Sequence, residues 1–188
     1  MGIVLDCSHT GKRSTLEIMD RSEHPCVYSH SNPSAIVPNP RNIDDEQIQA
    51  CISRGGVIAL VSWGPLCMRP NTTHRPTMEE FFQLIDHVAT MSGNLDHVAI
   101  STDLSIGTYP DHPHDPFGAP EYPDIAAQYN EHVTADFRSP MRQIEGFGDY
   151  ADIVQVAEGL SAWGYSDPEV EKILAGNFLR VCEEVWGG

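Results

Sequence analysis

Basic side chains are scarce in this sequence: 11 lysines and arginines stand against 27 aspartates and glutamates, a net charge of −16 over 188 residues. So acidic a surface repels phosphate backbones and anionic lipid, which argues against nucleic-acid and membrane-surface binding. It tolerates divalent cations. Paired cysteines are also lacking. Cys7, Cys26, Cys51, Cys67 and Cys182 are odd in number and scattered, without a CxxC pair; this excludes a zinc finger and a disulfide framework and points to a reducing compartment. No run approaches the roughly 18 apolar residues that span a bilayer. No basic flank or signal-like segment precedes the first strand, so a soluble, cytoplasmic protein is expected. Internal repeats and low-complexity segments are absent as well.

What is present alternates. Strands are expected at about 2–8, 25–30, 56–62 and 96–102, and helices at about 11–22, 44–54 and 77–91. Asp44 or Asp45 caps the second helix. Gly56 to Ser62 is a continuous apolar run, the pattern of a strand buried on both faces of a parallel sheet. Met78, Phe81, Phe82, Ile85, Val88 and Ala89 form one stripe of the 77–91 helix. Residues 107–123, rich in Pro, His, Asp and Gly, read as a long loop inside a single 1–188 domain. Helical patterning then resumes with Tyr150, Ile153, Val156, Ala157, Leu160 and Trp163 on one face, the apolar stripes and Trp163 being expected in the core. Ser166 and Glu169 around Pro168 form a capping box for a last helical stretch that Gly176 is expected to break in two. Four βα units make half of a (β/α)8 barrel, and 188 residues are short for the about 250 of a complete one.

Three of the strands end on a residue type that binds metal: His9 after Ile3-Val4-Leu5, His30 after Cys26-Val27-Tyr28, and Asp103 after Val98-Ala99-Ile100. Strand carboxyl ends converge on one mouth in such barrels, so these three read as a site. Neutral imidazole suits zinc. The plainer alternative is a hydrogen-bonded structural histidine, and for Asp103 a cap on the following loop; its functional role is that of metal ligand or proton shuttle. Arg41, in Pro40-Arg41-Asn42-Ile43, carries the group best suited to bidentate capture of a carboxylate, or else pairs with Asp44 or Asp45. His112 and His114 read as an exposed loop rather than a second metal site. His24, His74, His87, His97 and His132 have no comparable context.

Asp6-Cys7-Ser8-His9-Thr10, Tyr28-Ser29-His30-Ser31-Asn32 twenty-one residues on, Arg41-Asn42 with Asp44-Asp45, Ser101-Thr102-Asp103 and Gly176-Asn177-Phe178-Leu179-Arg180-Val181 together resemble the carboxyl-terminal half of the renal or membrane dipeptidase family. The resemblance covers nearly the whole chain. It implies an amidohydrolase-like (β/α)8 barrel with two zinc ions about 4 Å apart sharing a bridging carboxylate and a water. By motif, His9 and His30 would bind the second zinc and Asp103 would sit by the first and pass a proton to the leaving amine. Arg41, with Asn42, would bind the free carboxylate of a dipeptide substrate.

The family's first-strand His-x-Asp pair and bridging Glu have no counterpart here, and Asp103-Leu104-Ser105-Ile106-Gly107 departs from the family's Asp-Phe-Asp-Gly. Met1-Gly2 resembles an internal Met-Gly of longer relatives, which implies a truncated product, a misassigned start or one fragment of a split enzyme. Three functions are expected in turn: a zinc dipeptidase that needs a missing amino-terminal half or a homo-oligomer to act, a metal- or substrate-binding fragment without turnover, and a different metal-dependent amidohydrolase or lactonase.

Overall fold

The computed structural model describes residues 2–104 and 142–187. The loop expected at 107–123, with His112, His114 and also His132, lies outside them. Four parallel strands, β1 (Leu5–Asp6), β2 (Cys26–Tyr28), β3 (Val57–Val61) and β4 (Val98–Ser101), form a sheet in sequential order. Helices α1 (Lys12–Arg21), α2 (Asp45–Ser53) and α4 (Met78–Ser92) connect them, with a short α3 (Gly64–Cys67) at the exit of β3. Sequential parallel pairing through helical crossovers is the βα repeat of a barrel, and this is an α/β half-barrel of that type.

Each strand is fixed by what its two faces bury. Ile58, Leu60, Tyr28 and Val98 join the larger core under the helices, whereas Val27, Val57, Ala59 and Ala99 meet Val181 and Val185 on the other side. That double burial explains the unbroken apolar run of β3. β1 pairs over only two residues, shorter than the sequence pattern suggests, and Ile3 and Leu5 are exposed at this edge. Helix α4 starts on a capping box between Thr77 and Glu80, stops at Gly93 in the left-handed conformation, and buries Phe81, Phe82, Leu84, Ile85 and Val88.

After a 3-10 turn at Tyr150–Asp152 come α5 (Ile153–Trp163), α6 (Asp167–Glu171) and α7 (Asn177–Trp186). The α5 stripe is only half realised. Val156 and Leu160 are buried, but Tyr150, Ile153 and Trp163 are exposed to between 38% and 49%. Trp163 is not core: its indole stacks on the side of Phe82 at 5.8 Å and donates to Asp86, the amphipathic placement a tryptophan N–H requires. The Ser166–Glu169 capping box forms as expected. Gly176 does not break the chain. A π-helical turn at Lys172–Gly176 joins α6 to α7 without leaving the helix, and Gly176 itself has helical angles.

The turn delivers α7 to the amino-terminal ends of β3 and β4. Asn177 Nδ2 donates to the carbonyls of Leu95 and Val98 at 2.5 and 2.7 Å, and Arg180 Nη2 to those of Gly55 and Asp96 at 3.0 Å each. The Gly176–Val181 motif is thus a plug for one end of the sheet. The opposite, carboxyl end carries His9, His30 and Asp103.

Gly56 lies at the plugged end with no room for a side chain. A Cβ there would stand 2.3 Å from the Cys26 carbonyl oxygen and 2.6 Å from Cys51 Sγ. Backbone oxygen cannot yield without moving β2, so Gly56→Ala is expected to destabilise the chain by about 2 kcal/mol or more. Denaturant unfolding checks this, and an unchanged midpoint would refute it.

Candidate active site

His9 and His30 follow β1 and β2 directly, and parallel pairing brings the two strand ends side by side. Their ring centroids are 4.8 Å apart and tilted by 52°. Two imidazoles sharing one tetrahedral cation at about 2.1 Å place their ring centres roughly 5 Å apart, so this spacing fits a shared ion. His9 adopts φ 60° and Asp103 φ 52°, the left-handed region that non-glycine residues rarely occupy. Such strain clusters at functional sites; of the three described non-glycine residues that carry it, two follow the first and last described strands and the third, Asn71, lies in the turn before α4. Burial lowers the pKa of His9, and Arg41 and His30 push the same way against the carboxylates of Asp103 and Asp6. The neutral, metal-binding form is thereby favoured.

Below the two rings lies a polar cluster that sequence reasoning missed. Asp6 Oδ1 accepts from the backbone N–H of Ser8 at 2.9 Å and of Ser29 at 3.0 Å, and Ser29 Oγ donates to Asp6 Oδ2 at 2.5 Å. Burial alone would raise the pKa of Asp6, but these hydrogen bonds, led by the Ser29 hydroxyl, hold it below the usual carboxylate range. Ser29 Oγ also stands 2.6 Å from His30 Nδ1, and the His30 N–H donates to Ser8 Oγ at 3.1 Å. The signal in the sequence was faint, since the partners are 23 residues apart and meet only through the strand register.

Arg41 lies on the loop between β2 and α2, which is tied down at several points. Asn32 is fully buried; its amide donates to Val61 and Leu66 carbonyls and its oxygen accepts from the Val61 N–H. Asn42 Oδ1 accepts from the Asn32 N–H, and its amide donates to Val37 and Leu66 carbonyls. Asn42 therefore anchors the loop with all of its side-chain groups, and Arg41 projects from that anchor. Pairing of Arg41 with Asp44 or Asp45 does not occur: Asp44 takes Lys12 at 2.6 Å and caps α2 in a box with Gln47, while Asp45 takes His87 at 2.8 Å. Among the described residues no side chain engages the Arg41 guanidinium. It shares with His9, Lys12, Ser31, Asn42 and Gln47 a cavity of about 540 Å³.

Asp103 is exposed at the end of β4. Close to it is Arg142, another residue the sequence did not flag, whose pKa burial lowers to about 10 against the opposing charge of Asp103. The segment following Arg142 is stitched over the ends of β3 and β4: Ser62 Oγ donates to Gln143 Oε1 at 3.1 Å, and Arg75 to the carbonyls of Gln143 and Ile144. Among the described residues no three His, Cys, Asp or Glu side chains gather closely enough to hold a metal ion. The site thus brings His9 and His30 together, while Asp103 stands apart from them yet near enough to act on the charge of His9. His97 contacts the Gly56 carbonyl at 2.7 Å and His74 pairs with Glu80, both structural contacts away from this mouth. No helix among the described residues is long and apolar enough to cross a membrane.

The salt links of Asp44 to Lys12 and of Asp96 to Lys172 have a consequence for acid stability. Burial would raise the pKa of Asp44, but Lys12 and the Gln47 and Glu46 N–H groups lower it; Lys172 lowers that of Asp96. With folded values below the unfolded ones, their stabilisation is complete above about pH 4 and is lost as pH falls through the folded values. Thermal midpoints are expected to drop between about pH 4 and pH 2, less steeply in Asp44→Asn and Asp96→Asn; equal slopes in all three would contradict this.

The family model "Membrane dipeptidase (Peptidase family M19)" matches residues 1–132. The dipeptidase verJ of Clonostachys rogersoniana is 27% identical over 185 residues, 98% of this chain and 38% of that protein. Among solved structures, an amidohydrolase from Pseudomonas aeruginosa superposes with a TM-score of 0.79 at 25% identity, over all of this chain and 54% of that one. A metallopeptidase from Rhodobacter sphaeroides, liganded with a phosphinate mimic of the dipeptide L-Ala-D-Ala, gives a TM-score of 0.73 at 21% identity, over 98% of this chain and 43% of that one. The chain therefore spans about half or less of the proteins it matches.

Proposed function

Because this chain belongs to the membrane dipeptidase family of metallopeptidases, we propose that its carboxyl-end site is the half of a zinc dipeptidase centre that binds one zinc ion and the substrate carboxylate. The observation that carries this reading is the 4.8 Å approach of the His9 and His30 rings, beside a cavity lined by Arg41, whose guanidinium no side chain engages among the described residues. His9 and His30 hold the ion, zinc being the metal that suits two imidazoles and oxygen ligands. Bound zinc supplies Lewis-acid polarisation of the scissile carbonyl and a water of lowered pKa. Arg41 takes the free carboxylate of a dipeptide in a bidentate grip, and Asn42 acts through it by holding the loop. Asp103, which stands apart from the two rings, would sit by the other zinc of the complete centre, where its exposed carboxylate can pass a proton to the leaving amine.

A catalytic zinc normally has three protein ligands, and His9 and His30 are two. In this reading the remaining ligands come from barrel units beyond these four or from a second copy of the chain, and the chain alone turns over dipeptides weakly or not at all. Calorimetric zinc titration combined with a dipeptidase assay, with and without the amino-terminal half of a longer relative, tests the proposal. Zinc uptake with hydrolysis only in the mixture is expected. Uptake without hydrolysis in either case would leave a binding fragment, and no uptake would refute the site.

A further inference from the structure

The Asp6–Ser29–His30 cluster fixes more than the position of a ring. Both oxygens of the Asp6 carboxylate have assigned partners: Oδ1 accepts two backbone N–H groups, so Oδ2 is left to the Ser29 hydroxyl at 2.5 Å. A carboxylate can only accept, and a hydroxyl has one hydrogen. The Ser8 hydroxyl also acts on Asp6 and stands 3.4 Å from Ser29 Oγ, but two oxygens 2.5 Å apart require a hydrogen between them, so the Ser29 hydrogen points at Asp6. The Ser29 oxygen then shows a lone pair to His30 Nδ1 at 2.6 Å, which is repulsive unless Nδ1 carries a proton. With Nδ1 protonated, the neutral ring has its free lone pair on Nε2.

We infer that Asp6 and Ser29 are positioning residues that lock His30 in the Nδ1–H tautomer, with Nε2 available to a divalent cation. The inference rests on the metal-site reading above, but its chemistry belongs to the three side chains alone. Ordinary imidazole in water favours the opposite tautomer, with its proton on Nε2, so an unlocked ring would have to change tautomer before ligating in this orientation. The carboxylate also makes the ring a stronger donor through the hydroxyl. Outer partners of this kind are worth about 10- to 100-fold in metal affinity. The strand register supplies the relay: Asp6 pairs with Val27 in β1 and β2, which brings Ser29 within reach of the aspartate.

Asp6→Asn is the decisive variant because it changes polarity and hardly any volume. With two backbone N–H groups aimed at the Oδ1 position, the amide must place its NH2 where Oδ2 was. Ser29 would then accept from that amide and donate to His30 Nδ1, reversing the tautomer. Long-range 1H–15N correlation spectra of the full metal-free chain at pH 8 are expected to show His30 with Nδ1–H, and the Asp6→Asn chain with Nε2–H. Zinc titrated into Asp6→Asn and Ser29→Ala should bind about 10- to 100-fold more weakly, with Ser29→Thr close to native. A native chain showing Nε2–H at His30, or an Asp6→Asn chain with the native tautomer, would overturn the relay. His9→Ala separates the two readings: it should abolish zinc uptake and leave the His30 tautomer alone. Tautomers that switch as expected in a chain that never takes up zinc would sink the metal site and spare the relay.

Discussion

Replacing either imidazole, as His9→Ala or His30→Ala, is expected to weaken zinc binding by more than about 100-fold, because a direct ligand contributes more than the outer-shell partners that account for the 10- to 100-fold range. The two rings lie at the ends of neighbouring strands with centroids 4.8 Å apart. Neither has a substitute among the described residues, where no other cluster of ligand-type side chains is found. The loss should be equal for the two variants and should come without loss of fold, since His9 is exposed and His30 only partly buried. Calorimetry or competition with a chromophoric chelator measures the affinity, and circular dichroism checks the fold. Zinc bound as tightly by His9→Ala as by the native chain would mean that the ion sits elsewhere. Affinity should also fall as pH drops, since protons compete for the same nitrogens.

The four strands and most helices were legible because burial is written in the sequence with its own period. β3 reads as one apolar run since both its faces are covered, and α4 reads as one stripe since one face is. His9 and His30 were legible for a related reason: a polar residue at the end of an apolar strand has left the core, and in parallel strands the ends coincide. Contacts that depend on strand register or join positions far apart in sequence left little trace. Asp6 and Ser29 look like ordinary strand-end residues until β1 and β2 are aligned. Arg142 approaches Asp103 although the two are 39 positions apart in sequence, and a lone guanidinium carries no periodicity to betray it. The family resemblance pairs Asn42 with Arg41 as a substrate contact, and in the fold its amide hydrogens go to the main-chain carbonyls of Val37 and Leu66. Local pattern cannot distinguish an asparagine that binds a ligand from one that braces a loop. The π turn before α7 was invisible for the opposite reason, because a glycine that stays helical looks the same in sequence as one that ends a helix.

Arg41→Ala is expected to raise the dissociation constant of a phosphinate dipeptide mimic for the zinc-loaded chain by about 30-fold or more, the cost of removing one partner of a desolvated charge pair being about 2 kcal/mol or greater. The reason lies in how the loop distributes its charges. Lys12 is held by Asp44 and Glu46 at 2.6 Å each, so it brings little net charge to the cavity. Asp45, the other acid near Arg41, is engaged by His87. Arg41 is thereby left as the cation of that cavity without an acidic partner among the described residues, while Asn39 Oδ1 accepts from its backbone N–H and sets its position. Arg41→Lys should recover only part of the affinity, because an ammonium cannot make the two parallel hydrogen bonds of a guanidinium. A mimic with its terminal carboxylate converted to an amide supplies the control. It should bind the native chain and Arg41→Ala about equally, since the group that Arg41 recognises is gone; if the variant discriminates acid from amide as strongly as the native chain does, the carboxylate is held by another residue.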